Sequence, residues 1–299
     1  RYELWRWFFL KNKIMKTVNS ISGGKTSAYI AANYPADYNV FALVRTNDKN
    51  CMFPDKKLRQ VVSDKLGGVE FIGTLEMDTI IYTMLDLEQY IGKKIDWVTG
   101  LTFEEVVGLP QNNVLPSPIR RYCTEHLKMN PIFEWWQKEI NEVVEMRIGF
   151  RANEQRRANN TNKKLVNGLL GIKHKVGKSK NGRNKWGTTY YQKPVFPLIS
   201  VENPIYKIDV ENFWKDKPIR FAEINNCVGC FHRNEILLKK MWQTHENKMQ
   251  FFSNLEKDRK YNNDTFKMTD DITYEKIKEW KLQTEISFDD FDECDSGYC

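Results

Sequence analysis

Short apolar strands alternate with helical segments along the first half of this chain, and this alternation constrains the fold more than any other sequence feature. Strands are predicted at residues 17–21, 39–45, 69–72 and 142–149, and helices at residues 26–33, 54–66 and 79–91. Such alternation is typical of an α/β fold in which helices sandwich a parallel sheet. Ligands of these folds bind beyond the carboxyl ends of the strands. The candidate site segments are therefore those that follow strands: residues 22–27, 45–55 and 149–157.

The second half of the chain has a different pattern. Helical periodicity begins at Asp209, and helices are predicted at residues 235–260 and 273–284. We therefore expect three parts: an N-terminal extension, an α/β domain and a mainly helical C-terminal region that carries a C-x-x-C motif and an acidic tail. Their predicted bounds are residues 1–14, 15–200 and 201–299.

The composition is typical of a chain with a sizeable core, because 41% of its 299 residues are hydrophobic and 13% are aromatic. No apolar run reaches about 18 residues, so no membrane-spanning helix and no membrane partner are predicted. The N-terminal apolar stretch is short, contains Arg6 and lacks a small-residue cleavage site. We expect a cytoplasmic protein, in which cysteines serve metal or redox roles more often than structural disulfides.

Charge is distributed unevenly along the chain. No Asp or Glu occurs between Glu154 and Glu202, while Lys and Arg recur throughout that stretch. We interpret its Asn- and Gly-rich part, the basic loop at about residues 160–193, as a long mobile loop or a weak hairpin. Such a segment is either an ordinary solvated loop or an electrostatic funnel for a phosphate-rich partner such as a nucleic acid. After Lys281 the sign reverses, because the tail contains Asp and Glu but no Lys or Arg.

The segment Ser-Gly-Gly-Lys-Thr-Ser, which we call the phosphate loop, lies between a predicted strand and a predicted helix. At such a junction, backbone N–H groups and the positive end of the helix dipole converge on an anion. Glycines let the backbone approach a ligand closely, a lysine adds positive charge, and hydroxyls add donors. We predict that the loop binds nucleotide phosphates, the alternative being an ordinary strand–helix turn. Its candidate binding residues are Ser22, Gly23, Gly24, Lys25, Thr26 and Ser27.

Two better-known glycine-rich motifs do not fit this loop. A Walker-type P-loop needs a glycine five residues before Gly24, where this chain has Asn19. A dinucleotide-binding G-x-G-x-x-G loop is excluded because Ser27 occupies the position of its last glycine. The phosphate loop therefore belongs to neither class.

The cysteines supply a second candidate site. Cys227-Val-Gly-Cys230 has the spacing of a metal clip or a redox pair, and Cys123 begins a C-x-x-H motif. Three interpretations are open. Cys123, Cys227 and Cys230 hold a metal with a fourth ligand, or Cys227 and Cys230 form a redox disulfide, or all three are ordinary buried thiols.

Together these segments resemble the phosphoadenosine phosphosulfate (PAPS) reductase family, in particular phage-type members of the PP-loop ATP-pyrophosphatase superfamily. The phosphate loop is similar to the family's S-x-G-x-D-S, with Thr26 in place of the aspartate. Thr46-Asn-Asp and the following Phe53-Pro-Asp resemble its D-T-G and F-P-E-T stretch, and residues 148–157 resemble G-x-R-x-x-E/Q-S-x-x-R. Residues 115–128 resemble its R-x-C-T and L-K run, and residues 226–231 its later C-x-x-C.

The resemblance implies an adenine nucleotide alpha-hydrolase-like fold that binds PAPS or ATP. It adds Thr46, Asn47, Arg151, Arg156 and Arg157 to the nucleotide-binding residues of the phosphate loop. In sulfonucleotide reductases a cysteine near the C-terminus, in a Glu-Cys-Gly context, attacks sulfur. Glu293-Cys294 shares part of that context, so the resemblance makes Cys294 the candidate nucleophile; the alternative is a tail cysteine without a role. Lys25 would neutralise charge on the departing phosphate.

The resemblance leaves more than one function open. The leading one is reduction of a sulfonucleotide, with a thioredoxin-like protein as the thiol reductant. The second is magnesium-dependent adenylation of a nucleic acid or another acceptor by ATP, with pyrophosphate release and sulfur transfer. The third is a nucleotide- or nucleic-acid-binding module without turnover.

The family also implies a metal centre. Its cluster-bearing members hold a four-iron cluster with a Cys-Cys pair and a C-x-x-C motif. In this chain Tyr122 replaces one member of the pair, so only Cys123, Cys227 and Cys230 correspond. Zinc is the alternative to an iron–sulfur cluster, because it accepts a mixed ligand set.

Overall fold

The structure, a computed structural model, describes residues 15–258, 265–268 and 272–281. The predicted N-terminal extension and the acidic tail, with the candidate nucleophile Cys294, lie outside these residues. Within the described ranges, no helix is long and apolar enough to cross a membrane.

The described residues form strands and helices with the following bounds. The strands are β1 (Thr17–Ile21), β2 (Tyr38–Ala42), β3 (Arg45–Thr46), β4 (Gly73–Thr74), β5 (Asp96–Val98), β6 (Val144–Arg147), β7 (Leu170–Lys178) and β8 (Asn184–Val195). The helices are α1 (Lys25–Asn33), α2 (Lys56–Lys65), α3 (Thr79–Ile91), α4 (Phe103–Val107), α5 (Tyr122–Thr124), α6 (Asn130–Glu139), α7 (Gln155–Asn162), α8 (Lys207–Trp214), α9 (Glu235–Thr244), α10 (Glu246–Lys257) and α11 (Tyr274–Lys278). A π-helical segment, Glu125–Met129, joins α5 to α6.

Six strands form one mostly parallel sheet in the order β5-β2-β1-β6-β8-β7. The first five strands of this order are parallel, and β7 is antiparallel to β8 at the edge. The carboxyl ends of β1, β2 and β6 therefore lie along one edge of the sheet. The α/β expectation is confirmed at this level, a mostly parallel sheet with helices.

Successive strand residues point to opposite faces of the sheet, and helices pack on both faces. On one face, Ile21 and Phe41 pack against α1, α3 and α8. On the other face, Val18 and Val40 pack against α6. The α1 helix begins at Lys25, within the phosphate loop, so this packing holds the loop at the carboxyl edge of the sheet.

A third core joins the C-terminal helices to the sheet domain. It packs apolar side chains of α4, α9, α10 and α11 around Leu75 and Val228. Val228 lies inside the C-x-x-C motif, and its N–H donates to the carbonyl of Leu75 over 2.7 Å. This core therefore brings the C-x-x-C motif to the same side of the molecule as the phosphate loop.

Several predicted elements differ from those observed. The strand predicted at residues 69–72 is wrong, because the N–H of Phe71 donates to the Ser63 hydroxyl and not to a neighbouring strand. The sheet edge beside β2 is instead taken by β5, which the apolar pattern did not predict. Residues 235–257 of the helix predicted at 235–260 form two helices that meet at His245.

The basic loop also takes a defined form. Of the two interpretations, a mobile loop or a weak hairpin, the structure contains a hairpin, and it is long: β7 has 9 residues and β8 has 12. Ile172 and Tyr191 anchor it, because both are buried against α6.

Candidate functional site

A cavity of about 590 Å³ lies beyond the carboxyl ends of β1 and β6. Three groups of residues line it. The first is the phosphate loop, the second is the segment 148–157 after β6, and the third carries the cysteines Cys123, Cys227 and Cys230. The structure thus brings together candidate residues that are up to about 200 positions apart in the sequence.

The phosphate loop is held by its own hydrogen bonds. The Ser27 hydroxyl accepts the N–H of Ser22 over 3.1 Å and donates to the carbonyl of Gly24 over 3.0 Å. Gly23 has φ of +81°, a left-handed conformation that favours glycine. Gly24 precedes α1 and has no side chain to cap it, so the N–H groups of the first helical turn are available to a ligand.

Gly24 has a close neighbour that the sequence did not suggest. A Cβ atom on Gly24 would lie 2.0 Å from the side-chain nitrogen of Asn225, which also lines the cavity. The guanidinium of buried Arg233 fixes this segment by donating to the carbonyl of Asn225 over 2.6 Å. Asn225 is therefore a functional candidate that reaches over the phosphate loop. Its only sequence signal is its position just before Asn226 and the C-x-x-C motif.

Other predicted residues do not line the cavity. The side chain of Lys25 is half-buried, and its carbonyl accepts the indole N–H of Trp214 over 2.9 Å. The Thr46 hydroxyl donates to the carboxylate of Glu104 over 3.2 Å, and the N–H of Asn47 donates to the same carboxylate. The segment 45–55 thus contacts α4 and does not line the cavity. Val44, the residue just before this segment, does line it.

The segment after β6 supplies the cations predicted for it. Arg151 is buried, and its Nε lies 3.0 Å from the carboxylate of Glu154. Arg157 binds the other oxygen of Glu154, and its guanidinium lies 4.4 Å from the centre of the Phe150 ring. Arg156 is exposed and lines the cavity.

Glu154 organises this cluster. Burial alone would raise the pKa of its carboxyl, but the N–H of Arg151 and the two guanidinium groups outweigh burial and lower the pKa. The ionised carboxylate holds two arginines in place. An anion in the cavity would then meet positive charge whose position is already set.

The three cysteines line the cavity, Cys123 from α5 and the other two from the segment that carries the C-x-x-C motif. Burial raises the pKa of the Cys123 thiol to about 11, with a smaller contribution from Cys230. Burial and the nearby carboxylate of Glu76 raise the pKa of Cys227 well above its ordinary value. Both thiols are therefore protonated near neutral pH.

These cysteines do not by themselves form a metal site. Among the described residues, no three His, Cys, Asp or Glu side chains are grouped so that they could hold a metal ion. The remaining cysteines of the tail, Cys294 and Cys299, lie outside the described residues. The described geometry therefore does not fit a complete metal centre.

A buried ion pair lies next to the cysteines, and the sequence analysis missed it. Glu76 is fully buried, and Lys128 donates to one of its carboxylate oxygens over 2.9 Å. The other oxygen has no hydrogen-bond partner. Burial would lower the pKa of Lys128, but Glu76 and Cys227 outweigh burial and raise it. The sequence signal for this ion pair was a single glutamate between two apolar residues, in the segment Thr-Leu-Glu-Met.

The cavity also has an apolar end. Phe103, Phe231, Phe252 and Phe266 line it, and all four are buried in the third core. A ligand with a charged part and a flat apolar part matches this division of the lining.

No family model matches this chain, and no curated protein and no solved structure matches it either.

Proposed function

We propose that this chain is an enzyme that binds an adenine nucleotide in the cavity and has an adenine nucleotide alpha-hydrolase-like fold. One observation carries the proposal: the phosphate loop, the arginine cluster and three cysteines line a single cavity of about 590 Å³. That volume is in the range of small-molecule sites, roughly 300–1,000 Å³.

The charged end would bind the phosphates. Backbone N–H groups at the start of α1 and the hydroxyl of Thr26 supply donors. Arg156 and the Glu154-held Arg157 supply positive charge. The phenylalanines at the apolar end suit the purine base.

In the leading reaction the nucleotide is a sulfonucleotide such as PAPS. A thiolate attacks its sulfur, an S–S bond forms, and the S–O bond breaks with its electron pair staying on the phosphate oxygen. The positive charge of the site stabilises that phosphate as it departs. A second thiol then releases sulfite and forms a disulfide, which a thioredoxin-like thiol reductant reduces. Cys294 is the candidate nucleophile by resemblance and lies outside the described residues.

The scarcity of carboxylates in the cavity lining favours this reaction over magnesium-dependent use of ATP. Among the described lining residues, Glu154 is the only carboxylate, and two arginines already bind it. Magnesium sites usually include a carboxylate ligand in addition to the substrate phosphates. Adenylation of an acceptor by ATP is the second candidate, supported by the long basic hairpin as a surface for a nucleic acid.

Thermal unfolding with each nucleotide tests the proposal. A ligand that binds only the native state raises the melting temperature, so we expect PAPS to raise it more than ATP with magnesium. Arg156→Ala should weaken this stabilisation by about 1.5–3 kcal/mol, because a charge-assisted contact is lost. Arg183→Ala removes the same charge at the hairpin tip and should leave the stabilisation unchanged.

Product analysis separates the candidate functions. Sulfite release with a thiol donor supports the leading reaction, and pyrophosphate release supports the second. Tight nucleotide binding with neither product indicates a binding module. A chain whose melting temperature responds to neither nucleotide contradicts the whole proposal.

A further inference from the structure

The hairpin of β7 and β8 has two unlike faces. One face packs on α6, where Tyr191 is buried and the His174 ring lies 4.7 Å from the Phe133 ring. The strand register puts Lys173 opposite Thr188 and Lys175 opposite Trp186. These side chains point away from α6, because directly paired residues share a face and alternate with the buried ones.

The outward face combines cations with exposed aromatic rings. We call Lys173, Lys175, Trp186 and Tyr190 the basic face. Trp186 is 53% exposed and Tyr190 is 42% exposed. The ammonium of Lys173 lies 5.7 Å from the centre of the Trp186 ring. The Tyr190 ring lies over Gly171, where a Cβ would be 2.7 Å from its Cδ1.

Position separates the basic face from the nucleotide cavity. β8 pairs with β6 from Gln192 to Val195, and the earlier part of β8 pairs with β7. Because β8 runs parallel to β6, this earlier part extends past the amino-terminal end of β6. This earlier part of β8 is roughly 25 Å long, at about 3.4 Å per residue. The cavity lies at the opposite, carboxyl edge of the sheet.

The charge of the hairpin has one sign. Its turn carries Lys180 and Arg183, and the sequence contains no Asp or Glu between Glu154 and Glu202. The hairpin therefore carries no carboxylate that could neutralise the lysines of the basic face. A polyanion that approaches it meets attraction along the whole hairpin.

We propose that the basic face binds single-stranded nucleic acid. The lysines contact backbone phosphates, and the rings of Trp186 and Tyr190, about 13 Å apart along the strand, stack on separate bases. A duplex fits this surface less well, because its base faces are already stacked and only its phosphates would be used. The interaction goes beyond the proposed nucleotide chemistry and does not depend on it.

The test uses the full chain and a fluorescently labelled oligodeoxythymidine of about 20 nucleotides, followed by fluorescence anisotropy. Lys173→Ala/Lys175→Ala should weaken binding about tenfold or more. It should also reduce the slope of log affinity against log salt by about 1.4, since a single strand releases about 0.7 counterions for each phosphate neutralised. Trp186→Ala should weaken binding by a similar factor, and Trp186→Phe should restore most of it because a ring remains.

Lys56→Ala/Lys57→Ala is the matched control, because it removes two exposed lysines from α2 at a distance from the hairpin in the fold. It should leave oligonucleotide affinity nearly unchanged. The hairpin variants should keep the nucleotide-induced rise in melting temperature, which separates this proposal from the proposed function.

Three outcomes would overturn the proposal. The first is the absence of binding to the oligonucleotide. The second is an equal loss of affinity in the α2 control and the hairpin variant, which would indicate non-specific charge attraction. The third is tighter binding to a duplex of the same length, or to phosphatidylserine vesicles, than to the single strand.

Discussion

At the scale of single residues, Gly24 is required for space and not for backbone freedom. Its φ of −91° and ψ of 159° are extended values that any residue can adopt. The constraint comes from Asn225, whose side-chain nitrogen occupies the position of a Cβ. Gly23 differs, because its positive φ itself disfavours other residues.

We predict that Gly24→Ala forces Asn225 out of place, destabilises the protein by about 1–3 kcal/mol and weakens nucleotide binding. Asn225→Ala in the same chain should recover most of the stability, because it removes the clashing side chain. Urea denaturation of both single variants and the double variant measures this coupling. Additive effects of the two substitutions would contradict the contact.

At the scale of elements, β8 shows how alternation divides structural from surface residues. Tyr191 is buried against Phe133 and Trp136, whereas its neighbour Tyr190 is exposed. The two tyrosines are adjacent and chemically identical, so they form a matched pair for testing the hairpin.

We predict that Tyr191→Ala lowers the free energy of unfolding by about 3 kcal/mol or more, because it empties a buried site. Tyr190→Ala should change it by less than about 1 kcal/mol. Equilibrium denaturation of both variants provides the comparison. Similar losses at the two positions would show that the hairpin does not pack on α6 as described.

Glu256 joins α10 to the C-terminal segments. Its carboxylate accepts the N–H of Phe266 over 3.1 Å and that of Tyr274 over 2.6 Å. Burial nevertheless raises the pKa of this carboxyl to about 7. The folded protein therefore retains a proton that the unfolded chain releases above the ordinary pKa of 4.5.

It follows that this group's contribution to stability is present below pH 4.5 and is lost as pH rises towards 7. We predict that Glu256→Gln is more stable relative to the wild type at pH 7 than at pH 5, as measured by urea denaturation. Glu275→Gln is the control of opposite sign, because hydrogen bonds from Lys257 and Ser253 lower the pKa of Glu275. An identical pH dependence in wild type and Glu256→Gln would refute the assignment.

At the scale of the whole molecule, two distant parts of the chain bring three cysteines to one cavity, but the described residues do not complete a metal site. The resemblance predicts a metal at these cysteines, and this stays a prediction. A complete site would then need a further ligand from the tail, such as Cys299, because Cys294 is the candidate nucleophile.

We predict that the full chain, purified without oxygen, carries iron or zinc that is lost in Cys227→Ser and in a chain ending at Lys281. Cys51→Ser should retain the metal, because Cys51 is buried away from the cavity. Elemental analysis provides the measurement. Substoichiometric metal in the full chain, or unchanged metal after truncation, would contradict this prediction.

Local structure in this protein was predictable from the sequence alone. The strand β1, the glycine turn and helix α1 were predictable, because each depends on residues that are close together in the chain. The alternation of strands and helices likewise determined the α/β class. The basic character of the hairpin was visible in the sequence, but its two faces were not.

Tertiary structure alone decided the contacts that build the site. Asn225 lies against Gly24, and Lys128 pairs with buried Glu76, although these partners are far apart in sequence. The resemblance assigns Thr46 to the nucleotide, and in the fold the Thr46 hydroxyl donates to Glu104. Local periodicity says which side of a strand is apolar. Which distant segment covers that side is decided by packing the whole chain, because burial and hydrogen bonding must be satisfied everywhere at once.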